Sequence, residues 1–139
     1  MFEMDSRLQQ DSLVLGDFPL CRLLLSKDAN YPWFILVPRR AGVSELFDLS
    51  ADDQAQLWQE TTCLAEALKR EFKADKMNVA TLGNVVSQLH MHVIVRHHGD
   101  AAWPAPVWGK VPSGEYAPGQ VEAIGQRLRG LLGDSYQEA

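Results

Sequence analysis

Sulfur, positive charge and long apolar runs are all scarce in this chain. Its 139 residues hold two cysteines, Cys21 and Cys63, with no Cys-x-x-Cys spacing. That pattern excludes a dense disulfide framework, and both thiols are expected to be reduced and packed in the core. No apolar run approaches the roughly 20 residues of a membrane span. The opening MFEMDSRLQQ is acidic and mixed rather than basic and then apolar, so neither export nor a membrane partner is expected, and a cytoplasmic location is. Lys plus Arg number 13 against 18 Asp plus Glu, a net charge of -5. This gives no broad attraction for nucleic acid or an anionic membrane, although a small anion can still be held by local donors. Histidine is scarce too, and its placement is uneven: His90, His92, His97 and His98 are the only four, all within the stretch SQLHMHVIVRHHGD.

With 46% hydrophobic residues, the length suits one domain over 1–139, its core at about 12–109 and a C-terminal helix at about 118–133. The first dozen residues read as a short helix or ordered arm, followed by an edge strand in SLVLGDF that ends near Gly16. LCRLLL and WFILVPRR flank the turn chemistry of SKDANYP, so 20–26 and 33–38 are expected to pair antiparallel, with Pro38 ending the second strand. A long helix is expected over about 50–72. Ser50 can cap its first turn, Asp52 and Asp53 suit its positive end, and Leu57, Cys63, Leu64, Ala67, Leu68 and Phe72 trace one side. KMNVATLG (76–83) reads as a further strand, with Gly83 and Asn84 turning into the histidine segment. After Gly99 comes a proline-rich, ordered loop carrying Trp103 and Trp108. Together these give an α+β fold in which an antiparallel sheet of about five strands is covered by the long helix, with the C-terminal helix appended.

In a strand, Leu89, Met91, Val93 and Val95 fall on one face, while Gln88, His90 and His92 line the other at roughly 7 Å steps. Three explanations fit that pattern. It can be an ordinary strand with a solvated face. It can be a metal site, with His97 or His98 adding to a His-x-His pair, although no carboxylate or cysteine motif completes such a set. It can also be a site of nucleophilic catalysis, in which one imidazole attacks phosphorus while its neighbour serves a phosphate or leaving-group oxygen.

GNVVSQLHMHVIV resembles the signature of the histidine triad (HIT) nucleotide hydrolases and transferases, a Gly-Gln turn leading into His-φ-His-φ-His-φ-φ with φ apolar. Gly83 and Asn84 occupy the Gly-Gln place, His90 and His92 the second and third triad positions, and Gln88 the first. WFILVPRR, the helix-opening LSADD and Trp103-Pro104 are similar as well, so the likeness covers most of residues 20–109. It implies that His90 is a nucleophile that becomes transiently nucleotidylated and that His92 contacts the phosphate and leaving group. The implied reaction is attack at the α-phosphorus of a nucleoside phosphate derivative, with the nucleotidyl group passing to water or another acceptor. The implied partners are a small-molecule nucleotide and a second copy of the chain in a homodimer, and the chemistry needs neither metal nor cofactor. Three departures stand out. Gln88 cannot titrate, Val85 replaces a hydroxyl residue of many members, and Trp33 stands where several place an auxiliary histidine. The alternative is a catalytically weak nucleotide-binding or regulatory module that keeps the fold.

The same resemblance puts Asn78 beside the phosphate loop and Asp28 against the ribose hydroxyls, and Trp103 joins them as a candidate nucleotide contact. Turn chemistry alone also accounts for Asp28 in KDANYP. Arg39 and Arg40 read as a solvated basic corner, Trp108 as a closing or packing aromatic, and His97 and His98 as outside the triad register.

Overall fold

A computed structural model describes residues 1–139. Six strands form one antiparallel sheet: β1 (Ser12–Asp17), β2 (Cys21–Ser26), β3 (Trp33–Pro38), β4 (Lys76–Ala80), β5 (Met91–Arg96) and β6 (Gln137–Glu138), in the spatial order β4-β5-β3-β2-β1-β6. The helices are α1 (Ser6–Asp11), α2 (Ala51–Glu71) and α3 (Gln120–Leu128). The sheet thus has one strand more than expected. The additional β6 is a two-residue edge paired with Gly16 and Asp17. A side chain at residue 16 would lie 2.4 Å from the Gln137 carbonyl and the Tyr136 hydroxyl, so the glycine admits the C-terminal strand.

Strands β2 and β3 pair as expected, with Leu23 opposite Leu36 and Leu25 opposite Phe34. Beneath this face lies the main core, where Leu23, Leu25, Phe34, Leu36, Met91, Val93 and Val95 meet Leu57, Leu64 and Leu68 of α2. Each such aliphatic side chain contributes about 1.5–3 kcal/mol when fully buried. Helix α2 begins where its cap directs: the Ser50 hydroxyl accepts the Asp53 N–H, and Asp52 and Asp53 occupy the first turn.

Its buried stripe departs from expectation at one turn. Cys63 is exposed rather than packed in the core, and the inward positions are Glu60 and Thr61. The cause is a specific polar need. Glu60 accepts the N–H groups of Leu20 and Cys21 where β2 begins, and the helix turns so that this carboxylate points inward. Cys21 is buried, and burial together with the Glu60 charge pushes its thiol up, so it stays protonated and inert.

The other sheet face carries the histidines and is not solvated. All six residues of β5 are buried, because α1 and the loop over 97–118 cover the side opposite α2. Regular pairing begins only at Met91, one residue after His90, and β4 ends at Ala80. Residues 81–90 therefore form a connection that crosses the end of the sheet. Helix α3 is also shorter than expected, since the chain takes a positive φ at Gly130 and Gly133.

Candidate functional site

The covered face holds a cleft of about 490 Å³, within the size range of small-molecule sites. Its floor is formed by Ser26 of β2, Trp33 and Ile35 of β3, and His92 of β5. His90, Leu82, Asn84, Val85 and Val86 form one wall, Leu8 and Asp11 of α1 another, and Asp28, Trp108 and Ser113 a third. No lysine or arginine lines it. A second depression, between α3 and β1, contains none of the histidines.

The backbone determines what each imidazole offers. His90 Nδ1 lies 2.7 Å from the Gln88 carbonyl oxygen. A carbonyl only accepts, so Nδ1 carries the proton and Nε2 keeps a free lone pair. In His92 the assignment is opposite. The Trp33 indole Nε1–H donates to His92 Nδ1 at 2.9 Å, which leaves the proton on Nε2. That Nε2–H is buried and makes no hydrogen bond of good geometry within the protein. The rings meet edge to face, centroids 4.8 Å apart, with Trp108 packed 5.0 Å from His92 on the other side.

His92 is 5% exposed. Burial, and secondarily the charge of His90, push its pKa down to about 3, while a Leu82 backbone group pulls weakly the other way. His92 is therefore a neutral hydrogen-bond donor at physiological pH rather than a standing imidazolium.

Of the remaining candidates, Asp28 and Asn84 reach the cleft. Asp28 Oδ1 accepts the Asn30 and Gly114 N–H groups, tying the β2–β3 turn to the loop that carries Trp108 and Ser113. Gly83 is required by space: a Cβ there would lie 2.9 Å from the Val86 carbonyl oxygen. The Gln88 side-chain amide is turned to the N-terminal arm, so only the main-chain carbonyl of Gln88 meets a triad histidine.

Asn78 and Trp103 lie outside the cleft lining and serve Arg96 instead. This arginine, 1% exposed, donates to Asn78 Oδ1 at 2.7 Å, to both carboxylate oxygens of Asp100 and to the Ala105 carbonyl. The rings of Tyr31 and Trp103 lie 5.6 Å from its guanidinium carbon. Four hydrogen bonds to three partners and two aromatic contacts suit a charge kept from water, and they anchor the loop that carries Trp108. Sequence spacing carries no signal of the Arg96–Asn78 or Trp33–His92 bond, since each joins residues on different strands.

Arg39 caps the carbonyls of Phe18, Pro19 and Leu20, and Arg40 pairs with Asp53, so neither reaches the cleft. His97 bonds the Phe72 carbonyl, and His98 is exposed beside Asp75 and Trp103. The four histidines do not converge, and no three His, Cys, Asp or Glu side chains are grouped to hold a metal ion.

Known proteins share the fold. The crystal structure of a histidine triad protein from Bradyrhizobium japonicum is similar at 45% identity and a TM-score of 0.93, covering 95% of this chain and 98% of that one. A histidine triad protein from Marinobacter aquaeolei VT8 gives 46% and 0.92, with 95% and 96% covered. One from Sinorhizobium meliloti 1021 gives 41% and 0.90, with 93% and 96% covered. A hypothetical histidine triad nucleotide-binding protein from Sulfolobus tokodaii shares the fold at 17% identity and a TM-score of 0.69. A search of curated proteins returned no match. The HIT domain model matches residues 7–99, and the chain belongs to the HIT domain family.

Proposed function

We propose that this protein is a nucleotide hydrolase or nucleotidyl transferase that uses His90 as a nucleophile on the α-phosphorus of a nucleoside phosphate derivative. The observation that carries this reading is the complementary protonation of two adjacent imidazoles that line one cleft: a lone pair on His90 Nε2 and an N–H on His92 Nε2.

In the first step His90 Nε2 forms a bond to phosphorus as the bond to the leaving group breaks. The His92 Nε2–H donates to the phosphate or departing oxygen, where negative charge grows. Trp33 keeps Nδ1 an acceptor, so His92 stays neutral and stabilises the growing charge through this N–H without giving up a proton. Water or another acceptor then attacks phosphorus and releases His90. Asn84 and the backbone around Gly83 hold phosphate oxygens, and the Asp28 carboxylate accepts from ribose hydroxyls. Gln88 acts on His90 through its carbonyl. Asn78 and Trp103 act at one remove, by bracing Arg96 and the loop that leads to Trp108.

The alternative, a binding module with little turnover, shares the cleft but forms no covalent intermediate. Incubation with a nucleoside phosphoramidate and mass spectrometry of the quenched protein separates the two: an adduct on His90 supports the enzyme, and tight binding without adduct supports the module. A homodimer is part of the proposal. It is supported by the open edge of β4, where Val79 is 40% exposed, and by Trp58, 47% exposed on α2. Sedimentation equilibrium showing a monomer at micromolar concentration would remove this part.

A further inference from the structure

The Gln88 amide meets the N-terminal arm with both of its ends. Oε1 accepts the Asp5 N–H at 2.8 Å, and Nε2 donates to the Glu3 carbonyl at 2.8 Å. A primary amide engaged in this way imitates one rung of a β-ladder and fixes the arm in place and direction. The arm needs fixing, because α1 has six residues and so short a helix is unstable in water without tertiary contacts. Its apolar anchor is Leu8, packed with Leu24, Ile35 and Val37. Once docked, α1 places Leu8 and Asp11 in the cleft wall. The main-chain carbonyl of the same Gln88 accepts the His90 Nδ1–H.

We propose that Gln88 is a positioning residue that latches the N-terminal arm as a ligand-selecting wall of the cleft and couples the docking of that wall to the orientation of His90. The ligand named here, a nucleotide, rests on the function proposed above. A histidine at this position cannot serve the same purpose: its two ring nitrogens point in diverging directions, so one ring cannot meet a neighbouring N–H and C=O of the same arm. The glutamine in the first triad position thereby acquires a purpose of its own.

The test uses the full-length chain and two readouts that do not depend on turnover: affinity for AMP and GMP by calorimetry, and amide exchange over residues 3–11. Gln88→Ala is expected to speed exchange in the arm and weaken nucleotide binding about fivefold to tenfold, the equivalent of about one hydrogen bond's net contribution. Gln88→His should weaken it similarly and bring no faster His90 adduct formation. The arm supplies the partner perturbation. Asp5 has φ -52°, within the range of proline, so Asp5→Pro deletes the N–H that Oε1 accepts. Asp5→Ala serves as control, since it loses the same side-chain cap and keeps the N–H. The penalty of the proline variant relative to the alanine control should be present with Gln88 and absent in the Gln88→Ala background. A penalty that persists undiminished in that background overturns the latch. So does faster arm exchange with unchanged affinity. Nucleotide binding without any adduct in the wild type sinks only the covalent chemistry and leaves the latch supported by its own cycle. Failure of both nucleotides to bind the wild type removes the nucleotide assignment and this proposal with it.

Discussion

Replacing Trp33 with phenylalanine removes the one donor that fixes the His92 tautomer and keeps an aromatic ring in place. The indole N–H to Nδ1 bond is 2.9 Å long and part-buried. Its loss strands a buried acceptor, at a cost of about 1–3 kcal/mol. The ring then has two nearly equivalent choices of proton position, where the intact bond, at about 1 kcal/mol net, favours Nε2–H about fivefold. Chemical denaturation measures the stability change, and 15N shifts of the His92 ring nitrogens measure the tautomer directly. Trp33→Phe should show Nδ1 moving toward protonated values, with slower single-turnover nucleotidylation of His90. Trp108→Phe is the matched control: its ring also packs on His92, at 5.0 Å, but gives it no hydrogen bond, so the nitrogen shifts should stay in place. If Nδ1 of His92 remains fully unprotonated in Trp33→Phe and the adduct rate does not change, the indole does not set the site.

Three further outcomes follow from burial and charge. His92 titrates near 6.5 when unfolded and near 3 in the native state, so between those values the unfolded chain binds a proton that the native chain does not. Stability should then fall with decreasing pH by up to about 1.4 kcal/mol per unit; equilibrium unfolding from pH 7 to pH 4 should show a shallower loss in His92→Asn. Asp100 has a linkage of the same sign in a lower window: Arg96 holds its carboxyl down to about 2, so its contribution stands above about pH 4 and disappears toward pH 2. Asp100→Asn should cost on the order of 2 kcal/mol at pH 7, and a denaturation midpoint at that pH matching wild type would contradict the role given to the pair. Val93, fully buried under α2, should cost roughly 1–3 kcal/mol as alanine, read from urea unfolding with an unchanged slope.

How far the sequence could be read depended on the range of the interaction. Helix α2 was legible from its cap and first-turn carboxylates, and the β2–β3 pair from two apolar runs around a turn, because each signal is local. Alternation in QLHMHVIV correctly put Met91, Val93 and Val95 on the core side and His92 on the other. It could not show that the second face is buried as well, because the cover comes from α1 and the loop over 97–118. Glu60 was hidden because an acidic residue amid helical polar positions looks solvated until the strand N–H groups it accepts are known. The destination of the Gln88 amide, more than 80 residues away in the arm, left no periodic trace. Family resemblance supplied the pairing of His90 and His92, whereas their opposite tautomers emerge only from the Gln88 carbonyl and the Trp33 indole.

The central claim is that His90 Nε2 attacks phosphorus. Its most direct measurement is rapid mixing of the protein with a nucleoside phosphoramidate, quenching in denaturant at alkaline pH to protect the phosphorus–nitrogen bond, and peptide mass spectrometry. One nucleotidyl group should appear on the peptide containing His90, form at least as fast as product is released, and be absent in His90→Ala. Turnover that continues in His90→Ala, or that proceeds in the wild type with no adduct at any quench time, would contradict it.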